Sequence, residues 1–417
     1  MPFQKYGARQ RSLSALATLG AGLMVLGGIA PAAVAQDISS QQWYLKGMQA
    51  DDMWKVSKGK GVTVAVIDTG VKASLPELRG RVLQGTDASN SPTGAHDDET
   101  GHGTNVAALI AGTGSDGGIQ GLAPQSKILP IKAVVNGKTD AADPLLARAI
   151  RYAVDHGARV LNVSLGTEGT SSAYFTKSKD AVKYALQKGA LIFAATGNSG
   201  QKDNHPEYPS SLPGVVGVGA IDRTGKVAKF STSGSQVGLV AVGDEISMHC
   251  ENNDDVCTSH GTSFATAITS ASAALIWSKH PEWTNNQVLR VMMQTAAKPK
   301  SGDIPSSYVG YGSVRPRKVL IDGEGDPGPA NTNPLLAREG ATKPKPSESA
   351  SQPAEDGSQP ASDKRAAEKP AGEAKASDDG GGNSTLWVAL GAGIVVVAGA
   401  AVAFTVVRRR GGTMARP

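Results

Sequence analysis

Short continuous apolar runs recur along most of the chain, and longer stretches with helical periodicity separate them. The runs are rich in Val, Ile, Leu and Ala, which is typical of strands buried on both faces of a parallel sheet. Strands are predicted over residues 62–67, 127–135, 160–165, 191–195, 215–220, 230–234 and 237–242. Helices are predicted over residues 105–111, 143–156, 171–187 and 281–297. This alternation predicts an α/β fold with a mostly parallel central sheet and helices on both faces.

One apolar run is longer than any of the predicted strands. Residues 264–277 are Ala-rich, contain neither Gly nor Pro, and predict a buried helix. Gly261 and Thr262 place Ser263 at its amino end, beside unpaired backbone N–H groups and the positive end of the helix dipole. Those features stabilise an oxyanion and suit a nucleophile. The alternative is an ordinary helix N-cap, where serine is common.

The amino-terminal end carries an apolar segment of a different kind. Basic residues precede an apolar stretch over about residues 13–30, and Ala33-Val34-Ala35 follows as a small-x-small cleavage motif. This order predicts a secretory signal peptide over residues 1–35, with cleavage after Ala35. A retained N-terminal anchor is the alternative.

A second long apolar segment lies near the carboxyl-terminal end. Residues 386–407 are uncharged and long enough to form a transmembrane helix, and three arginines follow at once. The positive-inside rule keeps the basic tail, residues 408–417, in the cytoplasm and places the preceding chain outside. We therefore expect a single-pass protein of the cell membrane whose main domain lies outside the cytoplasm.

Composition divides the exported part of the chain into three segments. Residues 36–61 are polar and irregular, and we expect them to form an extension held on the main domain by aromatic residues. These are Trp43, Tyr44 and Trp54. Residues 62–322 contain the predicted strands and helices and form the main domain. Residues 323–385 consist mainly of Pro, Ser, Ala, Glu, Lys and Gly, which predicts a disordered linker.

Charge and cysteine content narrow the classes of function. The chain has 42 Lys and Arg against 37 Asp and Glu, and these charges are spread along it, so no nucleic-acid partner is expected. Cys250 and Cys257 are its two cysteines, and in an exported protein such a pair predicts a disulfide. A cysteine nucleophile or a metal site is the alternative. A disulfide there would stiffen the chain just before Ser263.

Two polar residues lie at or shortly after the ends of predicted strands. Asp68 ends the first strand, at the edge where open α/β sheets place their sites. Three interpretations are open: Asp68 caps the next turn, pairs with a histidine, or belongs to an aspartic-protease dyad. Such a dyad needs a second Asp-Thr-Gly triplet besides residues 68–70, and the sequence lacks one. Asn198 comes shortly after the strand over residues 191–195, and is either a turn former or an amide aimed into a cleft.

A histidine opens one of the predicted helices. His102 lies between Gly101 and Gly103, which leaves backbone room for a substrate. The alternatives are a surface turn or a zinc or calcium site. The additional metal ligands would be His96, Asp97 and Asp98. The Gly-x-Gly-x-x-Gly pattern over residues 112–117 follows a helix instead of a strand, and predicts a turn.

Several short motifs, taken together and in order, resemble those of the subtilisin-like serine proteases, the subtilases of peptidase family S8. They are Val66-Ile67-Asp68-Thr69-Gly70, Gly101-His102-Gly103-Thr104, Ser164-Leu165-Gly166, Ala195-Thr196-Gly197-Asn198 and Gly261-Thr262-Ser263-Phe264-Ala265. The resemblance implies a three-layer subtilisin-like fold and a serine endopeptidase acting on proteins or peptides. One departure is Ala267, which stands where many subtilases carry Pro.

The same resemblance implies a role for each motif. Asp68, His102 and Ser263 would form the catalytic triad, with Ser263 as nucleophile. The Asn198 amide would form the oxyanion hole with the backbone N–H of Ser263. The edge Ser164-Leu165-Gly166 would bind extended substrate and wall the first specificity pocket. The resemblance requires no cofactor and assigns no metal ligand; a structural calcium site is left open and is not located.

The order of the segments narrows the resemblance. A signal peptide, a short extension, a subtilase domain, a Pro-rich linker and one C-terminal span are similar to the mycosins, the membrane-anchored proteases of type VII secretion systems in actinobacteria. This implies processing of type VII secretion substrates and a place in the membrane complex. The alternatives are a non-catalytic structural component of the secretion machinery and a general cell-surface subtilase unrelated to type VII secretion.

Overall fold

The computed structural model of the chain describes residues 37–89, 92–133, 139–169, 171–250 and 256–341. The predicted signal peptide, most of the predicted linker, the predicted span and the basic tail lie outside the described residues. Within those ranges, none of the helices combines the length and the apolar character that a bilayer crossing requires.

The described part of the chain forms ten α-helices and eleven strands. The α-helices are α1 (Ile38–Gln41), α2 (Trp43–Gly47), α3 (Ala50–Trp54), α4 (His102–Ala111), α5 (Thr139–Asp155), α6 (Thr176–Gln187), α7 (Thr262–Lys279), α8 (Asn285–Thr295), α9 (Pro316–Leu320) and α10 (Pro334–Ala341). The strands are β1 (Thr63–Asp68), β2 (Thr86–Asp87), β3 (Lys127–Lys132), β4 (Val160–Val163), β5 (Thr167–Glu168), β6 (Leu191–Ala195), β7 (Glu207–Tyr208), β8 (Val216–Ile221), β9 (Val237–Val242), β10 (Ile246–His249) and β11 (Val256–Ser259).

A seven-stranded parallel sheet forms the middle layer, in the order β2-β3-β1-β4-β6-β8-β9. Side chains alternate across it, as the period of two in a strand requires. Val64 and Val66 of β1 join the core that contains α4 and α7, whereas Ala65 and Ile67 join the core under α5 and α6. The predicted α/β fold, with helices on both faces of a mostly parallel sheet, is confirmed.

Helix α7 lies buried against the sheet, as its apolar sequence predicts. Every residue from Thr262 to Trp277 is buried, and the helix contacts β1, β4, β6, β8 and β9. Its buried hydroxyls donate to carbonyls one turn earlier, from Thr266 to Thr262 at 2.8 Å and from Ser272 to Ile268 at 2.8 Å. These bonds satisfy polar groups that would otherwise destabilise the core. The nucleophile candidate thus lies in the first turn of a helix that is buried as far as Trp277.

The N-terminal extension is more regular than predicted, because it forms the three short helices α1, α2 and α3. Its aromatic residues do contact the rest of the chain. Tyr44 is buried, Trp43 Nε1 donates to the Glu245 carbonyl at 3.0 Å, and Trp54 Nε1 donates to the Leu122 carbonyl at 2.8 Å.

The predicted strand over residues 230–234 is wrong, because its backbone groups bond to a loop. The Phe230 carbonyl accepts from Gly200 N at 2.9 Å, and Thr232 N donates to the Gly197 carbonyl at 3.0 Å. The segment therefore braces the loop that carries Asn198 instead of extending the sheet.

The predicted helix over residues 281–297 is shorter than expected and is not the last one. It covers Asn285–Thr295, after a capping box at Thr284, and α9 and α10 follow it. The start of the predicted disordered linker, residues 323–341, lies against α8. Gln287 Nε2 donates to the Gly328 carbonyl at 3.0 Å, and Asn286 Nδ2 donates to the Ala330 carbonyl at 2.8 Å. Polar side chains hold its first part and Leu335 packs against the core, contacts that its Pro- and Gly-rich composition does not reveal.

Candidate active site

The carboxylate of Asp68 meets the imidazole of His102 at the carboxyl end of β1. Asp68 Oδ1 lies 2.7 Å from His102 Nδ1 and accepts from the backbone N–H of Thr69 at 2.7 Å. The Asp68 side chain is fully buried, whereas 29% of the His102 side chain is exposed. Asp68 Oδ2 is buried and lacks a hydrogen-bond partner in the described part of the chain. A buried carboxylate so placed favours the tautomer that carries its proton on Nδ1.

Two glycines allow His102 to approach Asp68. Gly101 has a φ of 76°, a left-handed conformation that glycine adopts without strain. A Cβ at Gly103 would overlap the Gly70 carbonyl, so a larger residue there would push α4 away from β1. The His102 ring lies 5.8 Å from the ring of Phe264, the residue after Ser263.

Ser263 is the second residue of α7 and faces the end of β4. Its Oγ donates to the Ser164 carbonyl at 3.2 Å, and Ser164 Oγ donates to the Ser263 carbonyl at 3.4 Å. Asn162 Nδ2 donates to Ser164 Oγ at 2.8 Å, and Ser270 Oγ donates to Asn162 Oδ1 at 3.0 Å. This buried network fixes the start of α7 against the predicted substrate-binding edge.

Asn198 joins the same edge of the sheet through Thr262. Its Oδ1 accepts from Thr262 N at 3.0 Å and from Thr262 Oγ1 at 3.2 Å. The residue is exposed, three positions after the end of β6. Because its carbonyl is fixed, the orientation of its Nδ2 group is fixed as well. The predicted residues from β1, β4, β6, α4 and α7 thus come together where the parallel strands end.

The Peptidase_S8 profile of the Subtilase family matches residues 59–312. The chain belongs to the subtilase family. It is 37% identical over 279 residues to a thermophilic serine proteinase of Bacillus sp. (strain AK1), and this alignment covers 66% of each chain. It is 34% identical over 258 residues to a subtilisin of Bacillus pumilus, covering 61% of this chain and 90% of the relative.

Solved structures of mycosins are similar to this subtilase. MycP1 from Mycobacterium smegmatis matches with a TM-score of 0.62 and 28% identity, over 71% of this chain and 88% of that structure. The MycP3 protease of the type VII (ESX-3) secretion system matches with a TM-score of 0.60 and 31% identity, over 70% and 90%. The chain is therefore a subtilisin-like serine protease whose fold is close to that of the mycosins.

A buried carboxylate that the sequence did not single out as a support holds the subtilase helix α4 in place. Asp98 is 1% exposed. Its Oδ1 accepts from Thr69 Oγ1 at 2.8 Å and Gly101 N at 3.0 Å, and its Oδ2 accepts from Thr104 N at 2.8 Å and Thr104 Oγ1 at 2.5 Å. Asp98 therefore caps the helix from outside and ties its first turn to the end of β1, which orients His102.

Substituting Asp98 by alanine is expected to lower the free energy of unfolding by about 2 to 4 kcal/mol, because buried donors would lose their acceptor. Urea denaturation of the purified protein measures this change. The matched control is Glu99→Ala, which removes an adjacent exposed carboxylate and is expected to change stability by less than about 0.5 kcal/mol. Equal effects of the two substitutions would contradict the capping role of Asp98.

Asp97 and Asp98, two of the residues considered as metal ligands, have other partners. Asp97 Oδ2 lies 3.3 Å from Lys132 Nζ, and Asp98 accepts from hydroxyls and amides. No cluster of three or more His, Cys, Asp or Glu residues suited to a metal occurs within the described ranges.

Cys250 and Cys257 are joined by a disulfide, with an S–S distance of 2.01 Å. Strands β10 and β11 pair antiparallel beside it, and Cys257 lies opposite Met248. The chain runs from β11 directly to His260 and Ser263. The bond therefore constrains the segment that leads into the candidate active site. Closing so short a loop also destabilises the unfolded chain by about 2 to 3 kcal/mol on the chain-entropy model.

A further carboxyl lies beside the predicted substrate-binding residues. Glu207, at the start of β7, reaches between Gly166 and Gly197, where a Cβ on either glycine would overlap one of its oxygens. The pKa of Glu207 is raised to about 7: burial raises it most, the Glu168 carboxyl raises it as well, and a hydrogen bond from the Asn198 backbone N–H lowers it. The sequence does not single out Glu207, because no local motif links it to these glycines.

Proposed function

We propose that this subtilase is an active serine endopeptidase with Asp68, His102 and Ser263 as its catalytic triad. The observation that carries the proposal is the 2.7 Å contact between the buried Asp68 carboxylate and His102 Nδ1. A histidine oriented in this way is suited to act as general base for a nearby hydroxyl. Ser263 is the hydroxyl that the fold presents at the amino end of a buried helix.

The reaction follows from these positions. Ser263 Oγ attacks the scissile carbonyl while His102 takes its proton, and the same proton later goes to the leaving amine. Asp68 orients the imidazole and stabilises the positive charge that develops on it. The Asn198 side-chain amide and the Ser263 backbone N–H stabilise the oxyanion of the tetrahedral intermediate. The edge at Ser164-Leu165-Gly166 holds the substrate backbone as an added strand.

A fluorophosphonate probe tests this proposal on the full chain. We expect one covalent adduct per protein molecule, located by mass spectrometry on the peptide that contains Ser263, because such probes react with activated serine hydroxyls. Heat-denatured protein is the control and is expected to remain unlabelled. A folded protein that acquires no adduct, or acquires it on another serine, would contradict the proposed nucleophile.

We further propose that the protein acts as a membrane-anchored mycosin, with protein or peptide substrates that the cell exports. The similarity to MycP1 and MycP3 supports this role, as do the predicted signal peptide and the apolar segment over residues 386–407. In this proposal the catalytic domain lies outside the cytoplasm and the basic tail inside it. The type VII membrane complex is the proposed partner.

A structural role in secretion is the second candidate function. One MycP1 structure is described as an essential component of the type VII (ESX-1) secretion system, which is said of that protein alone. For this chain we propose that contact with a secretion complex and peptide hydrolysis coexist. Secretion by a strain that lacks the gene and carries an inactive variant separates the two roles.

A further inference from the structure

Two segments of backbone border the space beside the nucleophile. Ser164, just after β4, accepts the Ser263 hydroxyl at 3.2 Å. Gly197, just after β6, donates its N–H to Thr262 Oγ1 at 3.2 Å. On the assumption of the proposed function, the substrate side chain that precedes the scissile bond enters between these segments. Gly166 and Gly197 line this space and contribute no side chains, so its far end is set by a residue from elsewhere.

Glu207 supplies that end. One of its carboxyl oxygens lies against Gly166 and the other against Gly197, so the carboxyl spans the gap between the two segments. Its backbone is well supported, because β7 pairs antiparallel with β5 and Glu207 lies opposite Glu168. The next residue, Tyr208, stacks on Phe175 with ring centroids 4.1 Å apart. The carboxyl position is therefore built into the fold.

The groups that act on the Glu207 carboxyl are the Glu168 carboxyl and the backbone N–H of Asn198, which donates to it. The facing strand contributes Glu168, whose own neighbour is His205, with Nδ1 3.9 Å from Glu168 Oε2. Among the described residues no Lys, Arg or His forms an ion pair with Glu207. A half-buried carboxyl opposite a second carboxyl is unfavourable without a cation. The arrangement therefore disfavours an empty, ionised pocket and favours one that holds a positive charge.

We propose that Glu207 determines substrate specificity by pairing with a lysine or arginine side chain of the residue immediately before the scissile bond. A protonated carboxyl at the same place would instead accept a neutral polar or apolar side chain, with no preference for charge. The two possibilities differ in their response to pH. Because burial, followed by the Glu168 carboxyl, raises the pKa of Glu207 to about 7, the preference for a cation is expected to grow as pH rises through this value.

Peptides that differ only at the residue before the cut test the proposal. Arginine, its neutral isostere citrulline, and leucine are placed there in turn, and kcat/KM is measured on the full chain. At about pH 8.5 we expect the arginine peptide to be preferred over the citrulline peptide by about 10- to 100-fold, the range for a charge-assisted hydrogen bond. The ratio of the two cancels the protonation of His102, which affects both peptides equally.

Variants assign the preference to a residue. Glu207→Gln is expected to reduce the arginine-to-citrulline ratio to near one, and Glu168→Gln to reduce it by a smaller factor. Glu282→Gln, which changes a carboxylate that is 65% exposed and lies between α7 and α8, is expected to keep the wild-type ratio. Thermal unfolding checks that Glu207→Gln is folded, and Glu207→Asp, which withdraws the charge by one methylene, gives a second measure.

The outcomes separate this proposal from the proposed function. Wild-type protein that cleaves the leucine or citrulline peptide as well as the arginine peptide would overturn the role of Glu207 and leave the hydrolase intact. A ratio that survives in folded Glu207→Gln would also overturn it. Failure to cleave any peptide, together with no fluorophosphonate adduct, would instead refute the hydrolase itself.

Discussion

Replacement of Ser263 by alanine is expected to reduce kcat/KM for peptide hydrolysis by about 10⁴- to 10⁶-fold, the range for loss of a serine-protease nucleophile. The hydroxyl donates one hydrogen bond, to the Ser164 carbonyl at 3.2 Å, and Ser263 is 7% exposed. The free energy of unfolding should therefore change by at most about 1 kcal/mol. A chromogenic peptide assay and urea denaturation measure the two effects on the same preparation.

The matched control lies on the same helix. Ser272 is also buried in α7, and its hydroxyl donates to the Ile268 carbonyl of its own helix at 2.8 Å. Ser272→Ala should therefore keep its activity. Hydrolysis that persists in Ser263→Ala would refute the assignment of the nucleophile. Secretion restored by Ser263→Ala in a deletion strain would show that the structural role does not need the chemistry.

The sheet and its central helix were predictable because each strand, and the helix, is a contiguous apolar run of the sequence. Strand β6 covers the predicted residues 191–195, and α7 extends the predicted run by two residues at each end. Such runs have few alternatives, since an uninterrupted apolar segment must be buried. The fold class follows from their alternation with helices.

Segments stabilised by polar contacts were not predictable in the same way. Residues 230–234 have strand-like composition, yet their backbone bonds to the loop at Gly197 and Gly200. Residues 323–341 have the composition of a linker, yet side chains of α8 hold their carbonyls. In both cases the partner lies far away in the sequence, so no local pattern could reveal it.

The candidate site also contains both kinds of residue: some lie in a local sequence motif, and others have a role that only tertiary contacts reveal. Asp68, His102, Asn198 and Ser263 were found because each lies in a short motif at the end of a strand or the start of a helix. Asp98 was considered only as a metal ligand, since its role depends on the approach of Thr69 and Thr104. Glu207 was missed because three strands must assemble before it meets Gly166 and Gly197. Sequence motifs therefore locate the candidate reacting groups, whereas tertiary contacts determine which residues support those groups and which residues lie beside the predicted substrate-binding edge.

Substitution of Asp68 by asparagine is expected to reduce kcat by about 10⁴-fold near neutral pH. The carboxylate only accepts hydrogen bonds, so its 2.7 Å contact keeps a proton on His102 Nδ1 and leaves Nε2 basic. An amide can present a donor to Nδ1 and so favour the other tautomer. It also removes the negative charge that stabilises the imidazolium. The rate of fluorophosphonate labelling at Ser263 should fall with kcat, since both depend on the same base.

Stability distinguishes this chemical effect from damage to the fold. Asp68 is fully buried, and its Oδ2 lacks a hydrogen-bond partner in the part of the chain that the structure describes. Removing the charge of such a group relieves a desolvation cost, so Asp68→Asn should unfold at the same temperature as the wild type or a higher one. The control Glu99→Gln, on an exposed carboxylate, should change neither property. Activity within about tenfold of wild type in Asp68→Asn would show that His102 is oriented by some other group.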